Sequence, residues 1–211
     1  MQAEPVAQAK PELFHGDLPD DRLQLYLKSS LVAIDTETRG LVIPRDRLCL
    51  IQLCDDTGVI SLVRYTGADA PNMRKLLTDK NVTKLFHFGR FDIAVMKHWL
   101  GVWTEPIWCT KIASKLVRTY TDKHSLKELC RELLGKEMDK ADQTSDWAKD
   151  DLTESQMEYA ANDVRYLHSL QRQMKALLVR EGRLELAEKM FAFLPTICEL
   201  DLLGFKEPFE H

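Results

Sequence analysis

The stretch Leu31-Val32-Ala33-Ile34-Asp35-Thr36-Glu37 sets two carboxylates directly behind a run of apolar residues. Leu31 to Ile34 has the length and composition of a buried strand. Asp35 and Glu37, two apart at its end, share a face because strand side chains alternate. Carboxylates beside a core are costly unless they are paired or bound to metal. Two on one face repel each other unless a cation lies between them.

The rest of the chain builds outward from that strand. Residues 47–54 form a second predicted strand, Asp55-Asp56-Thr57-Gly58 a turn, and Val59 to Val63 a third strand. The short connections make this an antiparallel meander. A short helix is predicted from Asn72 to Leu77, a fourth strand from Val82 to His87, a helix from Arg90 to Leu100, and a fifth strand from Pro106 to Cys109. Beyond it the chain reads as helical, with breaks near Tyr120–Lys123 and from Gly135 to Asp151. The longest helix is expected to start at Thr153, its N-cap, and to run to Glu181, where Gly182 ends it. A last helix is expected over Leu184–Phe193. The expected class is α/β, a mixed five-stranded sheet flanked by helices, in one domain over residues 13–211. Residues 1–12 read as a disordered leader, in which Pro5 and Pro11 discourage helix.

Composition narrows the function. The 211 residues are 45% hydrophobic and 29% charged, ordinary values for a globular chain with a sizeable core. No run approaches the roughly 18 apolar residues of a membrane span, and the start lacks the basic and apolar segments of a secretory signal. The five cysteines, Cys49, Cys54, Cys109, Cys130 and Cys198, are odd in number and have no CxxC spacing. That speaks against a disulfide framework or a zinc site and for small buried residues in a reducing cytoplasm. A net charge of −4 favours a short nucleic-acid substrate with few phosphate contacts over a long duplex.

Two further acidic segments complete a set. Asp92 opens the helix after His87-Phe88-Gly89-Arg90-Phe91, and its plainer reading is an acid favoured by the helix dipole. Tyr159 and Asp163 are four apart on a helix and share a face; the plainer reading of Asp163 is a solvated acid paired with Arg165 or a lysine. Together the acids suggest an oxygen-ligand site for hard divalent cations, Mg²⁺ or Mn²⁺. Two such ions, roughly 3.5–4 Å apart, can clamp the attacking and leaving oxygens of a phosphodiester. A tyrosine hydroxyl beside the attacking water can orient it.

Asp35-x-Glu37, Phe91-Asp92 and Tyr159-x-x-x-Asp163 resemble the three motifs of the DEDDy 3′–5′ exonucleases. Gln143-Thr144-Ser145-Asp146-Trp147, Leu152, Tyr159-Ala160 and Asp163-Val164 are similar to ribonuclease D. Cys109-Thr110-Lys111-Ile112-Ala113-Ser114-Lys115-Leu116, Arg118-Thr119-Tyr120-Thr121-Asp122, Arg131-Glu132-Leu133-Leu134-Gly135 and Phe193-Leu194-Pro195-Thr196 look like the stand-alone nano-RNase C family. The resemblance implies a ribonuclease H-like fold and metal ligation by Asp35, Glu37, Asp92 and Asp163, with Tyr159 catalytic beside them. It also implies hydrolysis of dinucleotides and very short oligoribonucleotides, and ring-like homo-oligomers, an octamer among them. The chain departs from many relatives in one place, where Phe88-Gly89 stands for Asn-Ala. Two other functions stay open: a broader exonuclease on longer RNA or DNA, and an idle nucleic-acid-binding module, which would have no need of all five residues.

Candidate substrate contacts surround these motifs. Thr36 lies between the first two acids, and Gly40-Leu41 follows them. Leu41 is either a wedge between bases, as a leucine is in related oligoribonucleases, or a loop residue packed on the core. Lys111, Lys115, Arg118, Lys123, His124 and Lys127 make a basic stretch that either meets a 5′ phosphate or forms a solvated or subunit-facing stripe. His87 and His124 either bind phosphate or are packed or surface histidines, Phe91 either stacks on a base or joins the core, and Trp147 reads as a packing anchor, with base contact the other option. The apolar tail over about 184–211 either packs on the chain's own core or meets another subunit.

Overall fold

The computed structural model describes residues 10–138, 145–149, 151–205 and 208. Its sheet has six strands in the order β1-β4-β3-β2-β5-β6: β1 (Glu12–His15), β2 (Leu31–Thr38), β3 (Leu48–Cys54), β4 (Ile60–Arg64), β5 (Thr83–Phe86) and β6 (Ile107–Cys109). β2, β3 and β4 form the antiparallel meander, while β5 and β6 continue the sheet parallel to β2. The strand beyond the expected five is β1, an edge strand parallel to β4. Two apolar residues in four give it no period to recognise. It begins at Glu12, inside the span expected to be a leader; the rest of that span lies almost wholly outside the described residues.

The helices are α1 (Asp20–Tyr26), α2 (Pro71–Thr78), α3 (Arg90–Leu100), α4 (Thr110–Val117), α5 (Leu126–Leu129, continuing as a π-helical turn over Cys130–Leu134), α6 (Glu154–Arg165), α7 (Leu167–Arg180) and α8 (Leu184–Leu203). Thr153 caps α6 in a reciprocal box: its Oγ1 accepts from the Gln156 amide at 3.2 Å, and Gln156 Oε1 accepts from the Thr153 amide at 3.0 Å. The single helix expected from 153 to 181 is two helices, broken at Tyr166. No proline or glycine marks that break. It lets α6 pack on the meander and α7 on β2, β5 and α4, and His168 Nε2 meets the Leu31 carbonyl at 3.0 Å. Gly182, at φ 65, ends α7 as expected.

The longest helix is instead α8, which runs through Pro195 to Leu203, ten residues past its expected end at Phe193. Phe191, Leu194 and Cys198 are buried on it, whereas Leu186, Met190, Phe193 and Leu203 are exposed. The tail therefore packs on the chain's own core and also carries uncovered apolar surface. Arg90 at the start of α3 grips Asp201 with two hydrogen bonds of 2.6 and 2.7 Å, tying α8 to the helix that carries Asp92. All five cysteines are buried and free. No described helix is long and apolar enough to cross a membrane.

Candidate active site

β2 extends to Thr38, so Asp35 and Glu37 lie within the strand and not just beyond it. Alternation sends both to the face covered by α6. There, ligand oxygens of Asp35, Glu37 and Asp163 all lie within 4.8 Å of one another, the one group of potential metal ligands of this kind among the described residues. Thr36 points to the other face, toward the start of α3, where its Oγ1 donates to Asp92 Oδ1 at 2.6 Å. Asp92 is the acid in the first turn of α3, where the helix dipole favours it, and it is only 5% exposed. It lies outside the converging group of Asp35, Glu37 and Asp163, near enough for its charge to act on Asp35, and Thr36 holds its carboxylate.

Among the described residues, no cation offsets this crowd. Burial raises the pKa of Asp35 well above the usual range, and the charges of Asp92, Asp163 and Glu37 raise it further. Burial, then Asp163 and Asp92, push Glu37 to about 9. Burial is also the first cause for Asp92, at about 6 against the bonds from Thr36, and for Asp163, at about 7. An all-oxygen donor set whose charges are this unfavourable together fits a divalent cation, with Asp35, Glu37 and Asp163 as the residues that would hold it. Gln52 faces Asp35 across the β2–β3 pair, and its fully buried amide makes no hydrogen bond through either Oε1 or Nε2.

Tyr159 lies one turn before Asp163 on α6, near enough for the charges of the acids to act on its hydroxyl. Burial first, then the charges of Asp163, Glu37 and Asp35, push its pKa up, so it stays a phenol. Trp147 is buried and packs against the Tyr159 ring with centroids 6.0 Å apart, the anchoring part expected of it. Gln143 and Thr144 of the same motif lie outside the described residues.

The outlying candidates divide. Leu41 is 83% exposed, which removes the option of a core-packed loop residue. Its loop is built: Asp46 Oδ2 accepts from the Val42 amide at 2.9 Å, Thr38 Oγ1 donates to the Gly40 carbonyl at 2.6 Å, and a Cβ on Gly40 would sit 2.3 Å from Asp46 Oδ2. Arg118 is not on a solvated stripe. It is 1% exposed, pairs with Glu132, and donates from Nη1 to the Lys123 carbonyl at 2.5 Å, so it staples the loop that carries Lys123 and His124. His87 Nδ1 lies 2.8 Å from Thr110 Oγ1, and burial with the nearby Lys111 charge lowers its pKa to about 3. A neutral packed histidine of this kind cannot serve as the phosphate-binding cation. His124 Nδ1 is 2.8 Å from Ser114 Oγ, and burial with Arg118 and Lys115 lowers its pKa. Phe91 is partly buried against the core, while Lys115 and Lys123 are exposed.

Sequence reasoning passed over Phe88, except as a departure from relatives. Its φ is 66°, the sole left-handed non-glycine among the described residues, and an aromatic side chain there costs about 1–2 kcal/mol. Gly89 has a steric reason, since a Cβ on it would fall 2.7 Å from Phe86 Cβ.

Comparison with known proteins agrees with this geometry. A family model described as 3′-5′ exonuclease matches residues 15–179. DNA polymerase I of Aquifex aeolicus is 34% identical over 150 residues, covering 71% of this chain and 24% of the polymerase. Ribonuclease D of Gluconacetobacter diazotrophicus is 33% identical over 159 residues, 75% of this chain and 40% of that protein. The chain thus spans less than half the length of these curated relatives. Among solved structures, Brucella melitensis NrnC with bound Mg²⁺ is 47% identical with a TM-score of 0.90, covering 96% of this chain and 100% of that one. NrnC bound to pGG is 48% identical with a TM-score of 0.91, covering 96% and 98%. The ribonuclease H-like sheet, the order of the motifs and these likenesses agree, and the chain belongs to the 3′-5′ exonuclease family, with ribonuclease D and NrnC among its relatives.

Proposed function

We propose that this chain is a metal-dependent 3′–5′ exoribonuclease that hydrolyses dinucleotides and very short oligoribonucleotides to 5′-mononucleotides. The observation that carries the reading is the convergence of Asp35, Glu37 and Asp163, with Tyr159 one turn before Asp163 on α6. Asp35, Glu37, Asp92 and Asp163 would hold two Mg²⁺ or Mn²⁺ ions, which when bound polarise the scissile phosphate and favour ionisation of the attacking water. Tyr159, kept protonated by its acidic neighbours, orients that water through its hydroxyl. The water attacks the phosphorus of the phosphodiester nearest the 3′ end, the bond from phosphorus to the 3′-oxygen breaks, and the proton that water gives up to solvent is replaced on the leaving oxygen, so that a 5′-mononucleotide and a 3′-hydroxyl result. Thr36 fixes the carboxylate of Asp92 through one oxygen and leaves the other for a cation. Leu41, projecting from its braced loop, is suited to wedge between two bases.

Substrate length follows from what the surface offers. The chain is acidic overall and its cationic stretch is short, with Arg118 withdrawn from it. A long RNA gains affinity with each added phosphate contact, and that gain falls steeply with salt. Affinity drawn from cations in the site, one 5′ phosphate and base packing does not grow with length. The relative solved with pGG, in nucleic-acid shorthand a 5′-phosphorylated dinucleotide, supports this reading. In a titration with Ca²⁺ in place of Mg²⁺, a 5′-phosphorylated dinucleotide should bind at least as tightly as a ten-nucleotide RNA. Its salt slope should be shallow, and loss of the 5′ phosphate should weaken it. Tenfold tighter binding of the longer RNA, with a steep slope, would favour a general exonuclease, the reading that the DNA polymerase I likeness keeps in view.

The exposed apolar residues of α8 point to a homo-oligomer, with a ring as the assembly the resemblance suggests. Light scattering at micromolar concentration should give a multiple of 24.3 kDa; a mass of one chain would contradict it.

A further inference from the structure

Phe88 lies two residues past β5 and two before α3, in the turn between the carboxyl end of that strand and the helix whose first turn carries Asp92. Asp92 is bonded to Thr36, the residue between Asp35 and Glu37 on β2, the strand that pairs with β5. Phe88 therefore stands beside the start of α3, next to the strand that carries the acids. Open sheets bind ligands beyond the carboxyl ends of such strands.

The residue is poorly explained by folding. Its backbone is left-handed, a conformation that asparagine or glycine adopts at less cost. Its ring is 47% exposed and so adds little to the core, although Gly89 next to it is pressed against Phe86. Lys111 Nζ lies 4.1 Å from the ring centroid, backing the ring with a cation. Strained backbone held by its surroundings recurs at functional sites. An open aromatic face with a cation behind it is what unpaired bases stack on, whatever their identity.

We infer that Phe88, backed by Lys111, is the stacking platform for one base of the bound nucleotide. The assignment rests on the nuclease reading of the site. It adds a base contact on the α3 side of the acids, separate from the Leu41 loop that follows β2.

The test uses the full chain as wild type, F88N and F88W, with Ca²⁺ in place of Mg²⁺ and two probes, a 5′-phosphorylated dinucleotide and a ten-nucleotide RNA. F88N suits the left-handed backbone, so its thermal midpoint should equal or exceed that of wild type and its Mg²⁺ binding by calorimetry should be unchanged. Its nucleotide affinity should fall at least about fivefold, the low end for a base–aromatic stack. F88W should retain wild-type affinity, and replacing the stacked base with an abasic residue should erase the difference between wild type and F88N. Wild-type affinity in F88N would overturn the assignment while leaving the nuclease reading intact. So would a lower midpoint with weaker Mg²⁺ binding, which marks a structural part, or a changed mass in light scattering, which marks a contact between copies. Failure of wild type to bind either probe would overturn both readings together.

Discussion

Replacement of Asp35 or Asp163 by alanine is expected to abolish hydrolysis, by on the order of 10⁴-fold or more, the scale on which loss of one member of a catalytic unit acts. Each substitution removes a ligand from a group whose oxygens converge within 4.8 Å. The fold should survive, because the burial of like charges opposes folding when no cation is bound. The pH dependence carries the same sign. Asp92, Asp163 and Glu37 are raised to about 6, 7 and 9 in the folded chain, above their ordinary values near ~4. Between those limits the folded state holds more protons than the unfolded state, so metal-free stability is greatest below about pH 4 on this account and falls as pH rises through 6 to 9. Thermal midpoints in chelator should therefore drop from pH 5 to pH 8, and Mg²⁺ should restore them in wild type. In Asp35→Ala the drop should be smaller and the restoration largely lost. Undiminished turnover in either purified variant would remove these residues from the site.

Tyr159→Phe should slow hydrolysis by roughly 10²–10⁴-fold, the range for a positioned proton-handling group. The ring would still pack on Trp147, so the helix that carries Asp163 should stay in place. What disappears is a hydroxyl held as a phenol by burial and by its acidic neighbours. Its loss also removes a neighbour that lowers the Asp163 pKa. Mg²⁺ affinity by calorimetry should barely change, whereas the rate at saturating substrate should fall. A matching loss of Mg²⁺ binding would make Tyr159 part of the cation site and not a group that orients water.

Much of this was legible in the sequence because the decisive segments are strongly patterned. The apolar run into Asp35 and Glu37, the meander turn at Asp55–Gly58 and the α3 boundaries at Arg90 and Leu100 all follow local rules. The break at Tyr166 did not, since tertiary packing on two parts of the sheet decides it with no local breaker. β1 is too short to show a period, and Pro195 gave no hint that α8 continues, because packing against α3 and the Arg90–Asp201 pair hold it. At the site, residue type and spacing named the acids, but spacing could not tell which lysines and arginines face solvent. Arg118 fits the helical stripe yet turns inward to Glu132. Gln52 looks like one more strand residue until register sets it against Asp35.

The most direct measurement is a product-length time course with Mg²⁺ on 5′-labelled RNAs of two to about ten nucleotides. The dinucleotide should be converted to mononucleotides fastest, with longer RNAs shortened slowly from the 3′ end and no product in chelator or with Asp35→Ala. Efficient processive shortening of the ten-nucleotide RNA with a dinucleotide left to accumulate, or hydrolysis that persists in chelator, would contradict the proposed activity.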